Sequence, residues 1–150
     1  MSNIIKLNAM LRVYNSNFLN LHWNSAGEEF NDSHKSISTD YYELCDKYID
    51  VTAEMAARLG ENAPNFGEVA EIARQEQFVA IESTRLYNRK DIIQIADTML
   101  KDICMCIIEC LAEEIINSPI NVGIKSDLEA MASAFDIEYR YINKRRMVSE

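Results

Sequence analysis

Apolar residues return at intervals of three and four through most of the chain, which is the period of helices that bury one face. From Asn3 to Trp23 the series Ile4, Leu7, Leu11, Tyr14, Phe18 and Leu21 predicts a first long helix, interrupted at Asn24 to Gly27. A second is expected to start near Asp32 or Ser33, either of which can cap it, and to run to Leu59 with Gly60 as its stop. Its predicted core face is Ile37, Tyr41, Leu44, Tyr48, Val51, Met55 and Leu59, which fall within about 80° of one another around the axis. A loop over Glu61 to Gly67 contains Pro64, and Glu68 to Arg74 has the pattern of a short helix before another polar connection. A third long helix is expected from Arg89 to Ile116, broken by Asn117, Ser118 and Pro119. The last begins between Ser118, with Pro119 in its first turn, and Ser126, which pairs with Glu129 as a capping box, and ends near Lys144. Four long helices with one long connection that carries a short helix describe an all-α bundle with a single crossover.

Composition narrows the picture. At 150 residues and 48% hydrophobic content the chain suits one domain, residues 1–150, with a substantial core. Four Gly and two Pro are too few for the turns of an all-β protein. No stretch approaches the roughly 20 apolar residues of a membrane span, and the amphipathic start is not that of a signal peptide. A cytoplasmic location with reduced thiols is expected for Cys45, Cys104, Cys106 and Cys110. On a helix Cys104 and Cys106 lie about 200° apart and cannot share an ion with Cys110. Cys106 and Cys110 can share one; the alternative is that the cysteines are small apolar core residues. The net charge of -9 repels polyanions and attracts metal cations.

Candidate metal chemistry sits in two places. His22 and His34 flank the junction after the first helix, each with a packing or surface role as its alternative. Asp50 and Glu54 stand one turn apart and about 40° apart around the second helix, so both carboxylates can reach one cation; Glu43 and Asp46 extend the stripe, which would otherwise be a solvated face.

The run His22-Trp23-Asn24-x-x-Gly27-x-x-Phe30-x-x-x-His34, followed by Asp50-x-x-x-Glu54-x-x-x-Arg58-Leu59-Gly60, resembles the signature of the Dps family of miniferritins. The resemblance implies a ferritin-like four-helix bundle assembled from two-fold dimers into a hollow dodecamer, which oxidises ferrous iron, with hydrogen peroxide in preference to oxygen, and stores the ferric product. It implies His22, His34, Asp50 and Glu54 as iron ligands and Trp23 as an electron donor beside them, with interface packing as the alternative for Trp23. The sequence departs from the family in three ways: Met55 stands where Arg is common, Ser38 stands where an acidic ligand is usual, and His34 and Asp50 are one residue further apart. A π-bulge or a shifted helix start can absorb the extra residue, and Asp40 is the candidate replacement for the missing carboxylate; a single-metal site is the other outcome.

Along a continuous helix His34 and Asp50 would be roughly 24 Å apart, so a shared site needs an antiparallel partner chain. Departures from the motif also leave open a non-catalytic shell with a degenerate site. DNA binding is not expected, because Met1 to Ile5 has no basic residue and Lys144-Arg145-Arg146 is the only compact basic run.

Overall fold

The computed structural model describes residues 1–27, 30, 34 and 38–149. Among them are α1 (Asn3–Trp23), α2 (Ser38–Arg58), α3 (Phe66–Gln75), α4 (Arg89–Leu111) and α5 (Val122–Ser149), with a 3₁₀ turn at Pro119–Asn121 leading into α5. None of the described helices is long and apolar enough to cross a membrane.

Helix α1 is the central element and packs on α2, α3 and α4. All six apolar positions anticipated for it are fully buried. Contacts set the helix directions: Asn8 meets Thr52 and Asn15 meets Tyr42, so α2 runs antiparallel to α1. Asn3 meets Glu109 and Tyr14 meets Asp102, so α4 does too. Arg58 pairs with Asp127 at 3.2 Å and Tyr48 packs on Phe135, which makes α5 antiparallel to α2. Helices α2 and α4 therefore point the same way, and the segment between them must travel the length of the bundle.

Local chemistry sets the helix ends. Ser2 caps α1, its hydroxyl accepting from the Ile5 N–H and donating to Glu61 at 2.6 Å. At the end of α2, Glu61 N–H reaches the Ala56 carbonyl and Gly60 N–H that of Ala57, a Schellman closure that requires the positive φ of 78° at Gly60. Asn65 and Glu68 form a capping box on α3, and Asn88 caps α4.

Two expected helix ends differ, those of α4 and α5. The proposed caps Asp32 and Ser33 and the core residue Ile37 lie outside the described residues; the described helix begins at Ser38. Helix α4 stops at Leu111 rather than Ile116, because the Asn117 side chain donates to the carbonyls of Leu111 and Glu113 and holds the chain in a tight turn that buries Ile116. Helix α5 starts through Pro119, which leaves Ser126 inside it rather than at its cap, and extends past Lys144 to Ser149. The buried face of α2 is also turned from the one anticipated. It is centred on Tyr41, Cys45, Tyr48, Thr52, Met55 and Ala56, with Leu44, Val51 and Leu59 at its half-buried edge. The buried Thr52 hydroxyl accepts from Asn8 and donates to the Tyr48 carbonyl, so a polar residue occupies the core without leaving its groups unmet.

The cysteines are core residues. Cys45, Cys106 and Cys110 are buried and Cys104 is half-buried. Burial pushes the Cys104 thiol up to about 11, and burial raises Cys45 as well; Cys110 is raised by its hydrogen bond with Cys106 and by burial. At pH 7.5 the native protein should therefore alkylate slowly at these thiols, with all four reacting once denaturant is added; rapid labelling of Cys104 in the folded protein would contradict this placement.

The crossover is held by polar groups of α1. The Tyr14 hydroxyl donates to Asp102 at 2.6 Å and accepts from Val79 N–H, while the Asn17 amide donates to the Val79 carbonyl at 2.7 Å. Desolvation, reinforced by the Asp102 hydrogen bond, raises the Tyr14 pKa well above its ordinary value and keeps the phenol protonated. Tyr14→Phe should cost about 1–3 kcal/mol and speed hydrogen exchange at Val79 far more than at Leu100. Equal exchange changes at both amides would remove the specific role assigned to the phenol.

Candidate metal centre

The turn after α1 is built around the end of the crossover. Tyr87 N–H donates to the Asn24 carbonyl at 2.8 Å and Ala26 N–H to the Tyr87 carbonyl at 2.9 Å. The Tyr87 ring is buried, and the next residue caps α4. Gly27 follows with φ of 90°, a conformation that strains any residue with a Cβ. The chain thereby leaves α1 along a defined path, and this accounts for Gly27 of the sequence motif.

His22 and His34 are brought together. Their rings stack with centroids 3.9 Å apart and planes 16° from parallel. Phe30 stacks on His34 at 5.0 Å, and Tyr42 of α2 meets His22 edge-on at 5.4 Å. Each imidazole is paired with the other's backbone: His22 Nδ1 lies 2.6 Å from the His34 carbonyl and His34 Nδ1 lies 2.8 Å from the His22 carbonyl. A carbonyl only accepts, so both Nδ1 atoms carry a proton and, in the neutral rings, the lone pairs are on Nε2. Backbone carbonyls commonly orient metal-binding imidazoles in this way. His34 itself has π-helical backbone geometry.

Thr39, in the first turn of α2, completes the cluster. Its hydroxyl donates to the His34 carbonyl at 2.7 Å and lies 3.1 Å from His22 Nδ1. Sequence reasoning missed it. The signal was present in the motif: counted back from Asp50 rather than forward from His34, the family's acidic position falls on Thr39 instead of Ser38.

The remaining anticipated residues stand apart. Asp40 is exposed next to Thr39. Asp50 and Glu54 are exposed on the side of α2 away from its buried face, as are Glu43 and Asp46. From Thr39, which touches both histidines, to Asp50 is about 16 Å of helix, so one chain does not join its imidazoles to this carboxylate pair. Among the described residues no group of three His, Cys, Asp or Glu side chains is gathered around one point. Trp23 is 66% exposed beside His22.

No protein-family model matches the sequence, and no curated protein sequence does. Solved structures do match in shape. CAIP from Helicobacter cinaedi superposes with a TM-score of 0.83 at 19% identity, covering 96% of both chains. Antigen TpF1 from Treponema pallidum gives 0.81 at 15%, covering 96% of this chain and 88% of its own. Dps from Staphylococcus aureus gives 0.79 at 17%, covering 96% and 92%. At these identities the likeness is one of fold: this chain has the ferritin-like helical bundle of the Dps proteins.

Proposed function

We propose that the protein is a miniferritin that oxidises ferrous iron at sites shared between two-fold related subunits and stores the ferric product inside a hollow oligomer, most simply a cytoplasmic dodecamer of this single domain. The observation that carries this reading is the exchange of backbone carbonyls by His22 and His34, which leaves both imidazoles with Nε2 lone pairs at one end of the bundle while the Asp50 and Glu54 pair stands about three turns away. An antiparallel second copy supplies Asp50 and Glu54 to the histidines of the first.

In this site His22, His34, Asp50 and Glu54 bind the iron, with Asp40 supplying the carboxylate that neither Ser38 nor Thr39 provides. The carboxylates favour the ferric state, and imidazole completes the set while leaving room for peroxide or oxygen. Ligand lone pairs of the two stacked rings lie in nearly parallel planes and do not converge on one ion. One ion for each imidazole is the arrangement proposed, as in two-metal sites whose ions stand about 3.5–4 Å apart. Trp23, exposed in the single chain, lies against the partner or gives an electron to a stray oxidant. The hydroxyl at the acidic position favours a second reading, a shell with a degenerate site and no catalysis.

Native mass measurement should give a closed oligomer, near 200 kDa for twelve copies of the 17.2 kDa chain, that takes up about two ferrous ions per chain before mineral growth. A monomer at micromolar concentration would remove the shared site, and one tightly bound ion per chain would remove the paired-ion geometry. With peroxide as oxidant, oxidation should exceed the uncatalysed rate; oxidation at the background rate in an intact oligomer would establish the degenerate-shell reading. Glu54→Gln should slow it by an order of magnitude or more. Glu43→Gln, which removes the same charge from the same acidic stripe, should have little effect, and equal losses would mean that general electrostatic attraction, not coordination, draws the iron.

A further inference from the structure

The Thr39 hydroxyl makes a local bond back along the chain, donating to the His34 carbonyl five residues earlier at 2.7 Å. That bond uses its only proton. Toward His22 Nδ1, 3.1 Å away, the oxygen can then act only as an acceptor. His22 Nδ1–H therefore faces two acceptors, the Thr39 hydroxyl and the His34 carbonyl, and the same hydroxyl fixes the carbonyl against which His22 is set. Tyr42, three residues along α2, closes the edge of the His22 ring.

We propose that Thr39 is a positioning residue for the metal centre: its hydroxyl ties the first turn of α2 to the histidine pair, holding His22 in the Nδ1–H tautomer with its metal-binding lone pair on Nε2. The proposal rests on the ferroxidase reading for its consequence but not for its geometry. It gives the departure from the acidic residue a chemical meaning, since a carboxylate at this position would bind metal directly, while a threonine orients the imidazole that does.

The chain has only two histidines, so magic-angle-spinning NMR of the sedimented, ¹⁵N-histidine-labelled oligomer can read both tautomers without metal. Wild type at pH 8 should show protonated Nδ1 at both rings. Thr39→Val should give His22 a substantial Nε2–H population and weaken Co²⁺ binding, followed by calorimetry, by about 10–100-fold. Thr39→Ser should restore both readouts, and Thr39→Ala serves in place of Val if that variant does not assemble at native mass. Unchanged tautomers in Thr39→Val and Thr39→Ala would overturn the positioning role, as would restoration failing in Thr39→Ser. Failure of the underlying site reading looks different: Co²⁺ would leave both histidine signals of wild type unmoved, while the tautomer change in Thr39→Val would still report the hydroxyl's control of His22.

Discussion

The polar side chains buried along α1 are the constraint on which the arrangement depends. A bundle whose second and fourth helices run parallel must carry a connection along its whole length, and that connection is held by apolar packing of Val69, Phe78, Val79 and Tyr87 together with hydrogen bonds from α1. Tyr14 and Asn17 fasten it at Val79, and farther along the carbonyl of Asn24 and the N–H of Ala26 fasten it again at Tyr87. The second attachment also determines how the chain leaves α1. The stacking of His22 on His34 lies beside this pinned turn, about one and a half turns of helix from Asn17, the nearer of those side chains.

Most of the fold was legible because α1 and α4 bury wide apolar faces and because Gly60, Pro64 and Pro119 punctuate the chain where helices end. The errors share a cause. On α2 the apolar pattern pointed to Leu44 and Val51, but the true core line passes through Cys45 and Thr52, where a polar side chain is satisfied by Asn8 from another helix. Hydrophobicity cannot register a buried threonine whose partner lies far away in sequence. The end of α4 was hidden in the same way, since Asn117 stops the helix by reaching back to its carbonyls and the apolar period continues through Ile116.

At the proposed metal centre the histidine pair and the acidic pair were both readable as residue types at suggestive spacings. Their relation was not. Periodicity places Asp50 and Glu54 on one stripe but says nothing of what faces it, and it does not register that two imidazoles twelve residues apart stack on each other with Phe30 on the outer face of His34. Thr39 escaped notice because a hydroxyl carries no metal-site signature; its significance appears only when its single proton is followed to the carbonyl that receives it.

The replacement of a carboxylate by a hydroxyl has an electrostatic consequence within the proposed site. Anionic oxygen ligands stabilise the ferric ion more than the ferrous ion, because the attraction grows with the charge on the metal. A neutral group at that position lowers the bias toward ferric retention while keeping the imidazole geometry that captures ferrous iron. If Asp40 supplies the missing charge, it does so from a more exposed position, where solvent screens its attraction. Either way the oxidised product is held less tightly than by a full set of buried carboxylates. In the proposed iron-storing shell this favours passage of the ferric ion onward to the growing mineral over its remaining in the site, so the departure from the family pattern is compatible with turnover as well as with the degenerate shell.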